Sequence, residues 1–193
     1  MSKNKVRYGL KNVHYAPIRE SETETVTYEK PVHFPGAVSL TLDAETGDPT
    51  KFFADDEIYF SGAGTNQGYS GTLEMASGDA KDDFDCAVMG FKKDTNGLIF
   101  ENSDAQASNF ALMFEFQGDQ SATRYVVYNC SAARASISGA TKEDTINVAT
   151  DSYAMTATPS PVTHNVQAKC KKGMTGYDNF FDSVTLPAEV TAK

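Results

Sequence analysis

Histidine and cysteine are the residue types that most often carry catalysis or bind metals, and their spacing here favours neither activity. The histidines lie far apart, at His14, His33 and His164. No pair of them has the His-x-x-x-His or carboxylate-histidine spacing of a metal site. The cysteines are odd in number and include no Cys-x-x-Cys pair, which is typical of reduced thiols in a cytosolic protein; they are Cys86, Cys130 and Cys170. We therefore expect no metal and no cofactor.

A glycine-rich run and two pairs of aspartates could suggest phosphate or calcium binding, but the residues around them do not fit either activity. The run Gly62–Gly68 is rich in glycine, but it lacks the Gly-Lys-Ser or Gly-Lys-Thr of a phosphate-binding loop. The pairs Asp55-Asp56 and Asp82-Asp83 lack the alternating spacing of a calcium loop, and a solvated turn and a helix start explain them better. The sequence holds no coherent set of nucleophile, base and oxyanion donors. We therefore expect a protein that is not an enzyme.

The length and the charge of the chain limit which classes of protein remain possible. The chain has 193 residues, with 17 Lys plus Arg against 26 Asp plus Glu, and a formal net charge of -9. A general duplex-DNA binder needs a basic face, so this class is disfavoured. The length fits one domain, residues 1–193. The longest apolar runs are far shorter than the ~20 residues of a transmembrane helix, so no membrane span is expected.

Alternating apolar and polar residues predict a fold that is mainly β. The alternating segments are Val38–Leu42, Tyr69–Met75, Phe110–Phe116, Val126–Cys130 and Val166–Cys170. Each of the first three segments is predicted to have one wet and one packed face. The turn-like Gly118–Ser121 joins two of these segments into a β-hairpin over 108–131. Between Thr145 and Thr158 the parity changes, which predicts a bulge near Asp151. We expect an antiparallel β-sandwich or barrel-like fold.

One segment has the 3.6-residue period of a helix, at about residues 79–90. Asp79 is a suitable N-cap and Gly90 a suitable C-terminal cap. Its apolar face includes Phe84 and Val88, which we expect to pack on the core of the sheet.

Residues 44–68 predict a hairpin or loop that projects from the body. Phe52, Phe53, Tyr59 and Phe60 would give this hairpin an exposed apolar patch unless a partner covers them. The alternative is that these rings fold back on their own core. Residues 1–30 are predicted to form an N-terminal arm, and residues 187–193 a C-terminal tail. The predicted subunit contacts come from the arm and the hairpin: Tyr8, Leu10, Val13, Tyr15, Phe52, Phe53, Tyr59 and Phe60.

Five stretches carry a family resemblance: Asn4–Ala16, Pro35–Leu40, Gly68–Glu74, Phe110–Phe116 and Tyr177–Val184. In order and in spacing they are similar to the major tail proteins of phages with long non-contractile tails, the phi13-type family of Gram-positive hosts. The resemblance covers nearly the whole chain and depends on the agreement of several stretches, since no single one is a chemical motif.

The resemblance implies a tail-tube protein. Such a subunit forms hexameric rings that stack into a tube, a conduit through which double-stranded DNA passes without sequence-specific binding. Its implied partners are copies of itself and the tape-measure, tail-terminator and baseplate proteins. It would be assembled in the cytoplasm of the host bacterium and would reside in the virion tail. The negative charge suits this role, because an acidic lumen repels phosphates and lets DNA slide.

Two other functions remain open. A tube subunit of a contractile tail or of a secretion system would share the architecture. A monomeric β-sandwich that binds a ligand or acts as an adhesin would present a fixed aromatic pocket. Concentration-dependent self-association separates the monomeric module from the assembly proteins.

Overall fold

A computed structural model describes residues 6–20, 26–76, 78–137, 141 and 149–187, in which the chain is mainly β with one helix. The elements are β1 (Leu10–Glu20), β2 (Val26–Tyr28), β3 (Val32–His33), β4 (Ala37–Thr46), β5 (Lys51–Ala54), β6 (Glu57–Ser61), β7 (Asn66–Ala76), α1 (Asp79–Ala87), β8 (Lys92–Lys93), β9 (Ile99–Phe100), β10 (Phe110–Phe116), β11 (Arg124–Ala132), β12 (Thr150–Thr158) and β13 (Gln167–Cys170). No helix in these ranges is long and apolar enough to span a membrane.

The principal sheet has 9 strands, and its hydrogen-bonded order is β2-β1-β10-β11-β12-β7-β4, with β13 also on β11 and β3 also on β1. Every pairing is antiparallel. The predicted antiparallel, mainly β class with one helix is thereby confirmed, and so is the hairpin of β10 and β11. The end strands β4 and β2 do not pair with each other, so the sheet does not close into a barrel.

The main hydrophobic core lies between the sheet and α1. Phe84 of α1 is fully buried at its centre, with four aromatic neighbours. The ring centroids lie 4.9 Å from Tyr15, 4.7 Å from Phe34, 5.3 Å from Phe110 and 5.2 Å from Tyr153. Three of these four contacts are edge-to-face, which is a favourable arrangement for aromatic rings. Val88, just after the helix, is buried in the same core.

A second core lies on the opposite face of β10 and β11, and it corrects one prediction. Ala111 and Met113 of β10 are fully buried there, packed with Phe180 from the C-terminal segment. The predicted wet face of β10 was therefore wrong. This strand alternates in sequence, yet both of its faces are covered because residues about 70 positions later fold over it.

The segment predicted as an N-terminal arm differs from the prediction. Leu10–Glu20 is not an arm: it is β1, an inner strand that pairs with β10 on one side and with β2 and β3 on the other. Val13 and Tyr15 point into the main core. The described residues before β1, 6–9, are exposed as expected of an arm, and even there the Gln117 and Gly118 amides donate to the carbonyls of residues 9 and 8.

The helix is shorter than predicted. It ends at Ala87, and the residue before its first turn is Gly78, so Asp79 is not the N-cap. Gly90 does take the left-handed backbone that its type favours, with φ of 78°. There the Phe91 amide donates to the Asp85 carbonyl and closes the turn after the helix.

Two predictions concern residues outside the described ranges. The apolar residues Ile146 and Val148, which suggested a change of parity near Asp151, lie among them, and β12 itself alternates regularly from Asp151 to Ala157. Of the predicted C-terminal tail, 187–193, only Pro187 is described.

Candidate assembly surfaces

The segment between β4 and β7 forms one long two-stranded ribbon. Thr46 pairs with Asn66 at the end of the main sheet, and the Gly47 amide donates to the Thr65 carbonyl just beyond. Farther out, β5 pairs with β6 in an antiparallel sheet of their own. The ribbon therefore continues past the sheet and ends in a separate hairpin, Lys51–Ser61, which we call the aromatic tip.

The turn of the aromatic tip explains its acidic residues. Asp55 and Asp56 have φ of 49° and 62°. Two consecutive left-handed residues define the two-residue turn that matches the twist of a hairpin, and aspartate tolerates this backbone better than most residues. These two carboxylates, with Glu57 beside them, lie at the end of the ribbon.

The apolar residues of the aromatic tip are exposed to solvent. The exposed fractions are 59% for Phe52, 60% for Phe53, 54% for Ile58, 79% for Tyr59 and 57% for Phe60. The alternative in which these rings fold back on their own core is therefore wrong. Large apolar side chains gathered on one exposed hairpin are typical of a surface that another molecule covers.

The other four predicted contact residues differ in their exposure to solvent. Tyr8 is exposed, with 61% of its surface accessible, and Leu10 is half-buried against the main core. Val13 and Tyr15 are 1% and 2% exposed, so their side chains have no surface to offer a neighbouring copy. These two predicted contact residues are instead core residues, because the segment predicted to be an arm is an inner strand of the sheet.

Sequence reasoning predicted wet faces for β4 and β7 but missed the broad polar surface that they form with β12 and β11, which we call the polar face. It is the outer face of β4, β7, β12 and β11, which are adjacent in that order. Its cross-strand neighbours are Ser39, Thr41, Asp43 and Glu45 of β4, Ser70, Thr72 and Glu74 of β7, Ser152, Ala154, Thr156 and Thr158 of β12, and Asn129 and Ser131 of β11. They include three carboxylates and no lysine or arginine.

Hydroxyl groups hold one carboxylate of the polar face in its charged form. Thr150 Oγ1 donates to Glu74 at 2.6 Å, and Ser39 Oγ donates to it at 2.9 Å. Both bonds lower the pKa of Glu74. The polar face is therefore anionic as well as free of cations.

Glycines in the Gly62–Gly68 run serve the backbone of the ribbon. A Cβ on Gly68 would lie 1.9 Å from the Ala157 carbonyl oxygen, and one on Gly64 would lie 1.9 Å from that of Gly47. No other residue fits where the backbone approaches so closely, so packing explains these two glycines.

A buried carboxylate ties β1, β10, β11 and the C-terminal segment together. Glu115 is 6% exposed and accepts hydrogen bonds from Asn12 at 2.6 Å, Lys11 at 3.2 Å and Arg124 at 3.1 Å. The Arg124 guanidinium also lies over the Tyr177 ring, 3.9 Å from its centroid. Burial raises the pKa of Glu115, yet the three donors outweigh this effect and hold it below its ordinary value of 4.5.

Acid should therefore weaken this part of the fold. Because the pKa of Glu115 is lower in the folded chain than in the unfolded chain, its contribution is present at neutral pH and is lost as the pH falls through the folded pKa. We expect Glu115→Gln to reduce the free energy of unfolding by about 1.5 to 3 kcal/mol at pH 7. The difference should shrink as the pH falls below the ordinary carboxyl pKa of 4.5, as denaturant titrations at several pH values would measure. An equal difference at every pH would contradict this assignment.

The surroundings of Asp85, Cys130 and Cys86 indicate structural rather than chemical roles for these residues. Asp85 of α1 accepts a 2.8 Å hydrogen bond from the hydroxyl of Tyr153 on β12, and this bond anchors the helix on that strand. Asp85 also accepts a 2.7 Å hydrogen bond from Lys81 of the same helix. Cys130 is fully buried, and burial raises its pKa to about 12, whereas a nucleophilic thiol needs a lowered value. Burial likewise raises the pKa of Cys86.

The three histidines do not meet at one site. His14 stacks on Phe181 with centroids 4.5 Å apart and lies 4.9 Å from His33, while His164 is on a separate turn after β12. Among the described residues, no three His, Cys, Asp or Glu side chains converge as metal ligands would.

Comparison with known proteins gives no family. No family model matches the chain, and no curated protein matches it. Among solved structures, the chain is similar to the tube-terminating cap of the anti-feeding prophage, with 11% identity and a TM-score of 0.41 over 88% of this chain and 96% of that one. It is also similar to a chain of the six-fold symmetrised anti-feeding prophage baseplate, with 9% identity and a TM-score of 0.41 over 90% of this chain and 100% of that one.

Proposed function

We propose that this chain is the tube subunit of a long, non-contractile phage tail, which self-assembles into stacked hexameric rings. The observation that carries the proposal is the aromatic tip, whose large apolar residues are more than half exposed on a hairpin that projects from the sheet. An isolated two-stranded hairpin is marginally stable in water, and contact with another copy would stabilise it. The family resemblance of the sequence supports the same role.

The polar face suits the lumen of such a tube. A surface with Asp43, Glu45 and Glu74 and no cation repels phosphates, so DNA in contact with it is not retained. Serine and threonine hydroxyls supply most of the rest of this face and keep it wet. We infer that the rings present this face to double-stranded DNA during genome delivery.

The open sheet supplies edges for contacts between copies. β4 is a ten-residue edge strand that pairs only with β7 among the described strands. A long unpaired edge is a template for another strand, and pairing between neighbours in a ring would cover it. Contacts between two different surfaces of identical subunits close into rings or continue as filaments.

The rest of the proposal follows from the assembly role. The chain acts as a structural protein without enzymatic activity, and its partners are other copies and the tape-measure, tail-terminator and baseplate proteins. It is assembled in the cytoplasm of the host bacterium and becomes part of the virion tail.

Sedimentation of the purified protein over a concentration series, with negative-stain imaging of the sedimented material, tests the proposal. Rings or tubes with a central hole and six-fold symmetry are the expected result. A chain that stays monomeric at every concentration, and also in the presence of its tail initiator complex, would refute it.

One observation favours a second candidate, a monomeric β-sandwich module that binds a ligand. The structure contains an open cleft of about 460 Å³ with aromatic walls. Pockets of this size hold small ligands. A monomer that binds an aromatic or anionic small molecule in this cleft would favour that function.

A further inference from the structure

The open cleft described above, which we call the aromatic cleft, lies between the edge strand β4 and the strands β10 and β11. Its aliphatic wall is Leu40 and Leu42 of the edge strand β4. Its aromatic wall comes from β10 and β11, where Phe114 stacks on Tyr125 with ring centroids 5.3 Å apart and Phe116 meets the same ring edge-on. A hydrogen bond of 2.7 Å from Gln167 to the Tyr69 hydroxyl crosses from β13 to β7. The cleft is therefore a formed seam between two parts of one sheet, with apolar walls and polar groups among them.

The charge of the cleft is opposite to that of the protein. Arg7 and Lys169 are both exposed and line it, and the described residues of its lining include no aspartate or glutamate, although the chain carries a net charge of -9. Arg7 is held in place because its guanidinium lies 5.2 Å from the centroid of the Phe116 ring and donates to the Tyr125 hydroxyl at 3.3 Å. An occupant with aromatic groups and negative charge fits this seam.

The aromatic tip has that chemistry. It presents Phe52, Phe53 and Tyr59 beside the carboxylates of its turn, and none of its residues lines the cleft of the same copy. We propose that the aromatic tip of one copy docks in the aromatic cleft of the next. This inference rests on the proposed self-assembly and names the two surfaces that meet.

The geometry of the contact has a consequence for assembly. The tip and the cleft are different surfaces, so a pair joined by one contact still has one free tip and one free cleft. Addition of further copies can then close a ring or extend a filament. On docking, the aromatic side chains of the tip lose contact with water, and the carboxylates of its turn approach Arg7 and Lys169 of the cleft.

Two variants with different defects test this pairing. The cleft variant combines Arg7→Glu with Lys169→Glu, and the tip variant combines Phe52→Ser with Phe53→Ser. A matched control reverses two exposed cations elsewhere, Lys92→Glu with Lys93→Glu on β8. Circular dichroism establishes that all variants are folded. Each defective variant alone is expected to need about tenfold or more protein than wild type to self-associate, and the control is expected to behave as wild type.

An equimolar mixture of the two defective variants is decisive. The cleft variant still has an intact tip, and the tip variant an intact cleft, so sedimentation velocity should show pairs that neither variant forms alone. If the cleft variant assembles as wild type does, or if the mixture forms no pairs, the tip does not dock in the cleft. If wild type itself never self-associates, the proposed function fails and this inference fails with it.

Discussion

Replacing Phe84 by alanine is expected to lower the free energy of unfolding by about 3 to 5 kcal/mol. The side chain is fully buried, and its ring contacts four other aromatic rings contributed by β1, β10, β12 and the segment that follows β3. Loss of the ring leaves a cavity that these neighbours, which are held by separate strands, can fill only in part. Urea titration monitored by circular dichroism measures the change as a lower midpoint at unchanged slope.

Phe100→Ala is the control for this prediction. Phe100 lies on β9, is 41% exposed and belongs to neither hydrophobic core. We expect its replacement to change the stability by less than about 0.5 kcal/mol. A loss of less than about 1 kcal/mol for Phe84→Ala would mean that α1 does not depend on this ring for its attachment to the sheet.

The local features of this fold were predictable from the sequence because each depends on residues close together in the chain. The alternation of Tyr69–Met75, the turn between β10 and β11 and the helical period around Phe84 are all local signals. The aromatic tip belongs to the same group, since its turn and its exposed rings lie within eleven residues, Lys51–Ser61.

The features that were missed depend on contacts between distant parts of the chain. β10 is buried on both faces only because the C-terminal segment returns over Met113, and nothing within β10 signals that return. The polar face requires the order β4, β7, β12 and β11, which is not the order of the sequence. The aromatic cleft combines Arg7, Leu42 and Lys169, so no local motif marks it.

Replacing Phe52 and Phe53 by serine is expected to abolish assembly at concentrations where wild type forms rings or tubes. Both side chains are more than half exposed in the single copy, so their loss removes little from its own core. Burial of a phenylalanine at a contact contributes about 1.5 to 3 kcal/mol, and the two together about 3 to 6 kcal/mol. At 1.4 kcal/mol for each tenfold change, such a loss weakens each contact by a factor of roughly a hundred to ten thousand.

Sedimentation velocity, with imaging of the sedimented fraction, measures this loss of assembly. Leu98→Ser with Phe100→Ser is the matched control, because it also replaces two exposed apolar residues, 65% and 41% exposed, near another two-stranded hairpin. The control should assemble as wild type does, since general surface hydrophobicity is not the cause of the contact. Tubes of normal length from the Phe52→Ser, Phe53→Ser protein would show that its aromatic residues lie outside the subunit contact. The comparison requires that both proteins are folded. Because β5 and β6 form a sheet separate from the main one, an altered tip leaves the main core in place.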